Sequence, residues 1–358
     1  MRIDDSSIYV DRHKCIACGI CVDRCIMDNL RLSVAPCRQA CPVGMNCQGY
    51  VRLIAMEKEE LALEQLQTFG PFVPLIAATC TAPCERACAR RKKDGAVHIL
   101  ELKRYLAKKY SKELYKVQLP AVHSKKRVAI VGAGIFGLAS GFKAIQHGHS
   151  VMIYAMPSDK NDVDTLSKNI VTSLEAAGVV FRYDEFLGNG IQDLQLFDAI
   201  ILSQAEIQSF VKTNLSIKKA DFKINFSTHL VTGNVFACNP NFLKNKEPVF
   251  EIASAFETIE SVNRYLNGEP LDWGRGFYTQ GGAVKTFNID QRVGSEEQRA
   301  LQEDLAEGFD SETAKKQALR CFGCGRAFEK NQTCWYCLPC ELECPHGALE
   351  VKIPYLVR

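Results

Sequence analysis

Two periodicities alternate along the chain. From Tyr50 to Phe69 (YVRLIAMEKEELALEQLQTF) apolar residues recur at three- and four-residue steps and stop near Gly70-Pro71, which predicts an amphipathic helix. A second helix is expected from about Val97 to Tyr110, with Ile99, Leu102 and Leu106 on one face. The period then changes. In KKRVAIVGAGIFGLASGFKAIQHGHSVMIY two short apolar runs flank a glycine turn and a helical stretch, so the order is strand, turn, helix, strand. HLVTGNVFACNPNF reads as a further strand on the far side of the same domain, and SEEQRALQEDLAEGF and SETAKKQALR return to helical spacing. No apolar run approaches the roughly 20 residues of a membrane helix, and the opening MRIDDSSIYVDRHKC has no hydrophobic signal region. Export and membrane spanning are therefore not expected, and a cytoplasmic location is.

With 358 residues and 47% hydrophobic composition, the chain can bury sizeable cores in two or three domains. Its 17 cysteines change the picture, because 16 of them crowd into the two ends and only Cys238 lies in the middle. In a reducing compartment so many thiols point to metal rather than disulfides. Cys15, Cys18, Cys21 and Cys25 follow the spacing C-x2-C-x2-C-x3-C, which lets a tight loop present three thiolates to one cube. Cys334, Cys337, Cys340 and Cys344 repeat it with Pro345 after the fourth, whereas Ile26 stands in the first copy. A zinc site more often uses two separated C-x2-C pairs. Between these motifs lie Cys37, Cys41 and Cys47, then Cys80, Cys84 and Cys88 at four-residue steps, and the pair Cys321 and Cys324.

The expected class is α/β. Residues 1–30 form a ferredoxin-like cluster segment, 31–118 a helical iron-sulfur domain, 125–270 a Rossmann-like domain, 271–320 a linker and helix, and 321–358 a ferredoxin-like C-terminal cluster domain. In the third piece Gly132, Gly134 and Gly137 occupy the G-x-G-x-x-G positions: a tight turn, close approach to a pyrophosphate, and helix packed on strand. The acid that would hold the adenosine ribose at the end of the second strand is Ala155, and the far strand ends in Cys238, Asn239 and Pro240 without an acid.

The formal charge of +3 counts neutral thiols; as cluster ligands they bind as thiolates. A four-iron core of charge +2 with four thiolates carries about −2, so three or four clusters would leave the whole negative and remove any argument for nucleic acid. Arg86 to Arg127 still holds fourteen Lys or Arg against Asp94, Glu101 and Glu113. That run reads as a solvated face, a docking face for an acidic partner, or a screen around negative clusters. The seven histidines sit in no metal-spaced pair with acids, and Cys238 beside Phe236 reads as a small buried hydrophobe.

The order of Cys37 and Cys41-Pro42, then Pro71-Phe72, then Cys80, Cys84-Glu85 and Cys88, then LKRY, then VAIVGAGIFGLAS resembles the small (beta) subunit of NADPH-dependent glutamate synthase and related iron-sulfur flavoprotein accessory subunits. The N-terminal part of dihydropyrimidine dehydrogenase shares it, and RCFGCG followed by a ferredoxin-like repeat is similar to the tails of some accessory proteins. The resemblance implies an FAD-type Rossmann domain. It also implies a second, NAD(P)H-binding domain that this chain lacks, and a Glu where Ala155 stands. Direct use of NAD(P)H is not expected, and FAD on Gly132, Gly134 and Gly137 is left open. In the glutamate synthase pattern a C-x2-C pair precedes the residue matching Cys37; here Cys321 and Cys324 would replace it, joining Cys37 and Cys88. Cys41, Cys47, Cys80 and Cys84 would then fill a further cube.

Ligand counting leaves two questions open. Cys15, Cys18 and Cys21 take as fourth ligand either Cys25 or, as in two-cluster ferredoxins, Cys344, with Cys25 then joining Cys334, Cys337 and Cys340. The chain holds three [4Fe-4S] clusters with some thiols left over, or four. The functional expectation is an electron-transfer subunit of a larger cytoplasmic oxidoreductase, in a hetero-oligomer with a catalytic subunit or another electron-transfer protein, without nucleic acid and without catalytic residues of its own. The alternatives are an FAD oxidoreductase that passes electrons between clusters and flavin, and a cluster scaffold around a flavin-free Rossmann domain.

Overall fold

A computed structural model describes residues 7–155, 165–183, 196–203, 224–238, 247–272, 308–331 and 334–353. In chain order the strands are β1 Ile8–Val10, β2 Leu30–Ser33, β3 Arg127–Val131, β4 Ser150–Ala155, β5 Val180–Tyr183, β6 Ala199–Leu202, β7 Leu230–Thr232, β8 Val235–Ala237, β9 Arg326–Glu329 and β10 Leu349–Val351. The helices longer than one turn are α1 Cys47–Ala55, α2 Glu59–Gln67, α3 Phe72–Thr79, α4 Ile99–Lys109, α5 Ile135–Gln146, α6 Thr165–Ala176, α7 Pro248–Asn267 and α8 Ser311–Leu319. The chain divides into two compact units, one of 1–66, 81–106 and 283–358, the other of 67–80 and 107–282.

The first unit joins the two ends of the chain. β1 pairs antiparallel with β10, Ile8 opposite Val351, and β2 pairs antiparallel with β9, Leu30 opposite Glu329. Each strand from one end thus finds its partner at the other. Leu30, Leu349, Val351 and Ile8 close a small core in which Cys340 is also buried. Asn29, 2% exposed, locks the seam: its side chain donates to Glu329 Oε1 at 2.8 Å and accepts from the Asn331 N–H at 2.8 Å.

The single helix expected over 50–69 is two. α1 stops at Met56, Glu57 adopts a left-handed conformation (φ 58°), and the Lys58 N–H bonds back to the Leu53 carbonyl at 2.9 Å. No glycine or proline marks this break; the closing hydrogen bonds at the end of α1 compensate the strain at Glu57. α8 begins as its sequence suggests, with Asp310 accepting from the Thr313 N–H at 2.7 Å. The SEEQRALQEDLAEGF segment lies almost wholly outside the described residues, as do Asn239 and Pro240.

The second unit is a parallel-rich six-stranded sheet in the order β5-β4-β3-β6-β8-β7, with β7 alone antiparallel. The far "strand" of the sequence is a hairpin, turned at Gly233 (φ 53°) between β7 and β8. α5 lies on β3 and β4 and packs along α7. Phe142 of α5 meets Phe72 at 5.6 Å and Phe256 at 6.4 Å between ring centroids. Gly137 is what lets α5 approach β3, since a Cβ there would stand 1.9 Å from the Gly132 carbonyl oxygen; at Gly134 a Cβ would meet nothing within 4 Å.

Two outcomes follow for this unit. G137A should lose about 1–3 kcal/mol in chemical denaturation, as overpacking against a rigid backbone does, whereas G134A should unfold within about 0.5 kcal/mol of wild type. His149, 3% exposed and hydrogen-bonded through Nδ1 to Ser124 Oγ at 2.6 Å, has its pKa pushed down to about 4, by burial first and then by His147. Because the unfolded histidine binds its proton near pH 6.5, stability from this group is complete above that pH and is lost as pH falls towards 4. The melting temperature of H149Q should therefore fall less steeply between pH 7 and 4.5 than that of wild type.

Candidate metal centres

The two C-x2-C-x2-C-x3-C motifs fold alike. Ala17 and Tyr336, each two residues after the first cysteine, have positive φ (54° and 55°), and so do Gly19 and Leu338 after the second (99° and 72°). A single helical turn follows in each, Ile20–Asp23 and Pro339–Leu342, and a left-handed residue, Asp28 or Gly347, releases the chain into β2 or β10. The repeated reversals turn three thiols of each loop inward, as a tight cube-binding loop requires.

The fourth thiol comes from the other loop. Cys15, Cys18, Cys21 and Cys344 line one cavity with Val10, Leu32 and Leu349. Burial raises the Cys18 and Cys21 thiols, the latter to about 12, with Cys15 and Cys344 adding like-charge repulsion in both. Cys25 instead faces Cys334, Cys337 and Cys340, and burial followed by Cys25 and Cys334 pushes Cys340 up to about 11. Backbone amides point at three of these sulfurs: Asn29 N–H to Cys25 at 3.3 Å, Tyr336 N–H to Cys334 at 3.4 Å and Ala348 N–H to Cys344 at 3.3 Å. Such bonds favour thiolate over thiol.

A second cavity gathers Cys37, Cys88, Cys321 and Cys324 between Pro36, Gln48, Val51 and Phe322, with Cys47 also on its wall. Burial holds Cys37 well above its ordinary value, with Cys321, Cys88 and Cys324 adding to it, and Cys324 rises to about 12 for the same reasons. Two devices bring the distant pair in. Gln48 of α1, 1% exposed, donates to the Gly325 carbonyl at 2.7 Å and accepts from the Gly325 N–H. Arg320 donates to the Ala96, Asp94 and Gly95 carbonyls at 2.9–3.1 Å, while Arg90 binds the Arg320 carbonyl and lies over the Phe322 ring at 5.0 Å. One carboxylate, Asp94, serves both guanidiniums, at 2.6 Å from Arg90 and 3.4 Å from Arg320. The sequence signals none of Gln48, Arg90 or Arg320 beyond the basic run that contains Arg90.

Cys41, Cys47 and Cys84 form a fourth group. Cys47, fully buried, lies within hydrogen-bonding reach of both of the others; sharing a proton with it holds Cys41 low, at about 6, and Cys84 low, and drives Cys47 itself high. The buried Lys103 favours the ionised forms of Cys41 and Cys84. Cys80 is buried at the C-terminal end of α3, four residues before Cys84 in the chain, and belongs to the second unit.

The donor sets fit iron-sulfur cubes. A zinc ion draws four sulfurs to about 2.3 Å, and among the described residues no three His, Cys, Asp or Glu side chains are arranged to hold one metal ion. Three quartets of thiols, two of them around apolar cavities, include members such as Cys21, Cys37, Cys324 and Cys340 that resist ionisation through burial and like-charge neighbours, a cost that a multi-metal cationic core relieves.

In the second unit Gly132 (φ 105°) makes the tight turn and Gly134 leaves open space. The Glu251 carboxylate from α7, its pKa raised by burial, lies close to the Phe136 amide of the first turn of α5, which acts in the opposite direction. Ala155 ends β4 as a buried apolar residue, and Cys238, buried, lies 3.4 Å from Ser254 Oγ. A carboxylate near this helix end disfavours a phosphate there, and Ala155 offers no acceptor to a ribose, whereas the open space at Gly134 would admit a dinucleotide. Among the described residues no helix is long and apolar enough to cross a membrane.

Residues 3–114 match the family described as dihydropyrimidine dehydrogenase domain II, 4Fe-4S cluster. The chain is 27% identical over 187 residues to the NADPH-Fe(3+) oxidoreductase subunit beta of Geobacter sulfurreducens, covering 47% of this chain and 28% of that one. It is 29% identical over 178 residues to the glutamate synthase [NADPH] small chain of Bacillus subtilis, 45% and 36% of the two chains. Over 263 residues it is 26% identical to the glutamate synthase [NADH] of Schizosaccharomyces pombe, 68% of this chain and 12% of that. The chain thus spans roughly a third or less of these relatives' lengths. The similarity supports an iron-sulfur oxidoreductase subunit.

D94N should strand Arg90 and Arg320 as buried uncompensated cations. We expect it to cost about 3–5 kcal/mol in denaturation of the first unit and to lower bound iron by about one cluster's worth, about four atoms per chain.

Proposed function

We propose that the chain is the iron-sulfur electron-transfer subunit of a larger cytoplasmic oxidoreductase complex, carrying four [4Fe-4S] clusters between a catalytic partner and an electron carrier. The observation that carries this reading is the gathering of thiols from both ends of the chain, Cys15, Cys18 and Cys21 with Cys344 in one cavity and Cys37 and Cys88 with Cys321 and Cys324 in another. Cys41, Cys47 and Cys84 would share the fourth cube. When bound, the clusters accept and release single electrons. The protein's own work is to hold the thiolates, to exclude water with residues such as Leu32, Leu349, Val51 and Phe322, and to tune potentials through N–H···S bonds and buried charge.

The second unit is read as a Rossmann-like domain kept as a support. Glu251 at the start of α5 speaks for a flavin-free state, and no residue pattern for nicotinamide was found in the sequence. The relatives' names mention NADPH or NADH, and in this reading that chemistry belongs to a partner.

The anaerobically purified chain should contain about 16 iron and 16 acid-labile sulfide per chain and no acid-extractable flavin, and NADPH alone should leave its visible spectrum unchanged. Iron near four atoms, or zinc without sulfide, would defeat the reading. C344S should alter the cluster of the N-terminal motif and C25S that of the C-terminal motif, each seen as loss or change of one electron paramagnetic resonance signal.

A further inference from the structure

Among the described residues the four most exposed large apolar side chains are Val122 and Leu342, each 77% exposed, Trp335 at 71% and Ile26 at 69%. Val122 belongs to the second unit. The other three belong to the first, and each lies one or two residues after a cysteine of a single group: Ile26 after Cys25, Trp335 after Cys334 and Leu342 after Cys340. Those three cysteines pack in one small core. The one-turn helices Ile20–Asp23 and Pro339–Leu342 are in contact, and Arg24 Nε meets Glu343 Oε2 at 2.6 Å, which brings the Ile26 and Leu342 ends of the two loops together. Cys337, the remaining member of the group, is the one exposed thiol of the 17.

Apolar side chains scattered singly over a surface need no explanation, but three gathered at one site do. The sister loop shows that the fold does not require them. Ile16, which follows Cys15 as Trp335 follows Cys334, is 3% exposed, and the cavity of Cys15, Cys18, Cys21 and Cys344 is lined with Val10, Leu32 and Leu349. Electron tunnelling weakens steeply with distance, so the centre with a ligand at the surface is the one best placed to exchange electrons with a second protein. The charges say what kind of protein. Within three positions of the patch lie Asp23, Arg24, Asp28, Glu341 and Glu343; Arg24 is already paired with Glu343, and Arg31 with Asp28. Four carboxylates thus stand against two guanidiniums, and a bound cluster would add about −2 to that excess.

We propose that Ile26, Trp335 and Leu342 form the docking surface for a basic one-electron carrier protein, one that presents an apolar contact framed by Lys and Arg, and that electrons leave the chain for it from the cluster of Cys25, Cys334, Cys337 and Cys340. One electron passes from the reduced cluster to the carrier's one-electron centre. The cluster is oxidised by one unit, the carrier is reduced by one, and no bond forms or breaks. The proposal rests on the electron-transfer reading above and names the partner of one of its centres.

The test uses the full chain, purified anaerobically and reduced with dithionite that is then removed, as wild type, the double variant I26S/L342S, D23K and V122S. Iron and sulfide are counted first. Reoxidation is then followed by stopped flow with cytochrome c, a basic carrier with lysines around its haem edge, and with duroquinone, a small neutral acceptor that needs no docking. Wild type should reduce cytochrome c at a rate that falls as salt rises from about 0.01 M to about 1 M, across which the screening length shrinks from about 30 Å to about 3 Å. I26S/L342S should keep full iron and react with cytochrome c at least tenfold more slowly, D23K several-fold more slowly, and V122S at the wild-type rate, while duroquinone should oxidise all four alike. A double variant with full iron and an unchanged rate, or a wild type that reduces duroquinone but not cytochrome c, overturns the proposal. If the double variant loses a cluster, D23K decides, since full iron with an unchanged rate in that variant overturns the proposal as well. A wild-type dimer in sedimentation that I26S/L342S dissolves makes the patch a contact between copies of this chain and overturns it too. Wild type without iron and sulfide would sink the electron-transfer reading itself, a result distinct from the others.

Discussion

Buried thiols and buried positive charge must be balanced against each other, and the first unit is organised around that balance. Crowded together in apolar cavities, Cys37, Cys324 and Cys21 resist losing their protons, because each new negative charge would be desolvated and repelled by its neighbours. A cationic metal core reverses the sign of that cost. The remaining negative charge is met by amides aimed at sulfur and by Arg90 and Arg320 beside the Cys321–Cys324 segment. Strand pairing, the Gln48 clamp and the Asp94 network position the ligands; they do not supply what stabilises the thiolates.

The second unit depends on a different constraint, the close approach of α5 to β3 at Gly137. That contact keeps a parallel sheet and two packed helices in place whether or not anything binds at the glycine turn. The Glu251 carboxylate lies near the helix end at which a phosphate would bind. Packing thus explains Gly137, while nothing packed against Gly134 requires a glycine there.

The parts legible in the sequence are those set by short-range spacing. C-x2-C-x2-C-x3-C fixes a loop whatever surrounds it, and the matching left-handed residues Ala17 and Tyr336 show how local that instruction is. The run from Lys125 to Tyr154 carries strand, turn, helix and strand in its own order, and the structure follows it. Less legible was anything that depends on distant partners. The break at Glu57 has no breaker residue, the seam residue Asn29 looks like an ordinary loop polar, and Gln48 has meaning only beside Gly325. The basic run from Arg86 to Arg127 left open a solvated face, a docking face or a screen for clusters, and its spacing does not announce that Arg90 and Lys103 are buried. The choice between Cys25 and Cys344 as fourth ligand could be posed from spacing but not decided by it.

The pairing of β1 with β10 and β2 with β9 also has a consequence in time. On the ribosome, Cys15, Cys18 and Cys21 emerge more than 300 residues ahead of Cys344. At synthesis rates of about 5–20 residues per second they wait roughly 15–60 s for their fourth partner. During that interval β1 and β2 present open edges and three reactive thiols to the surroundings. The first cysteines made would then be among the last to be finished, and the second unit, whose strands lie between, can fold before the ends meet. Such a nascent chain would depend on a delivery system that withholds iron and sulfide until translation is complete, or on a chaperone that covers the N-terminal loop until its other half arrives.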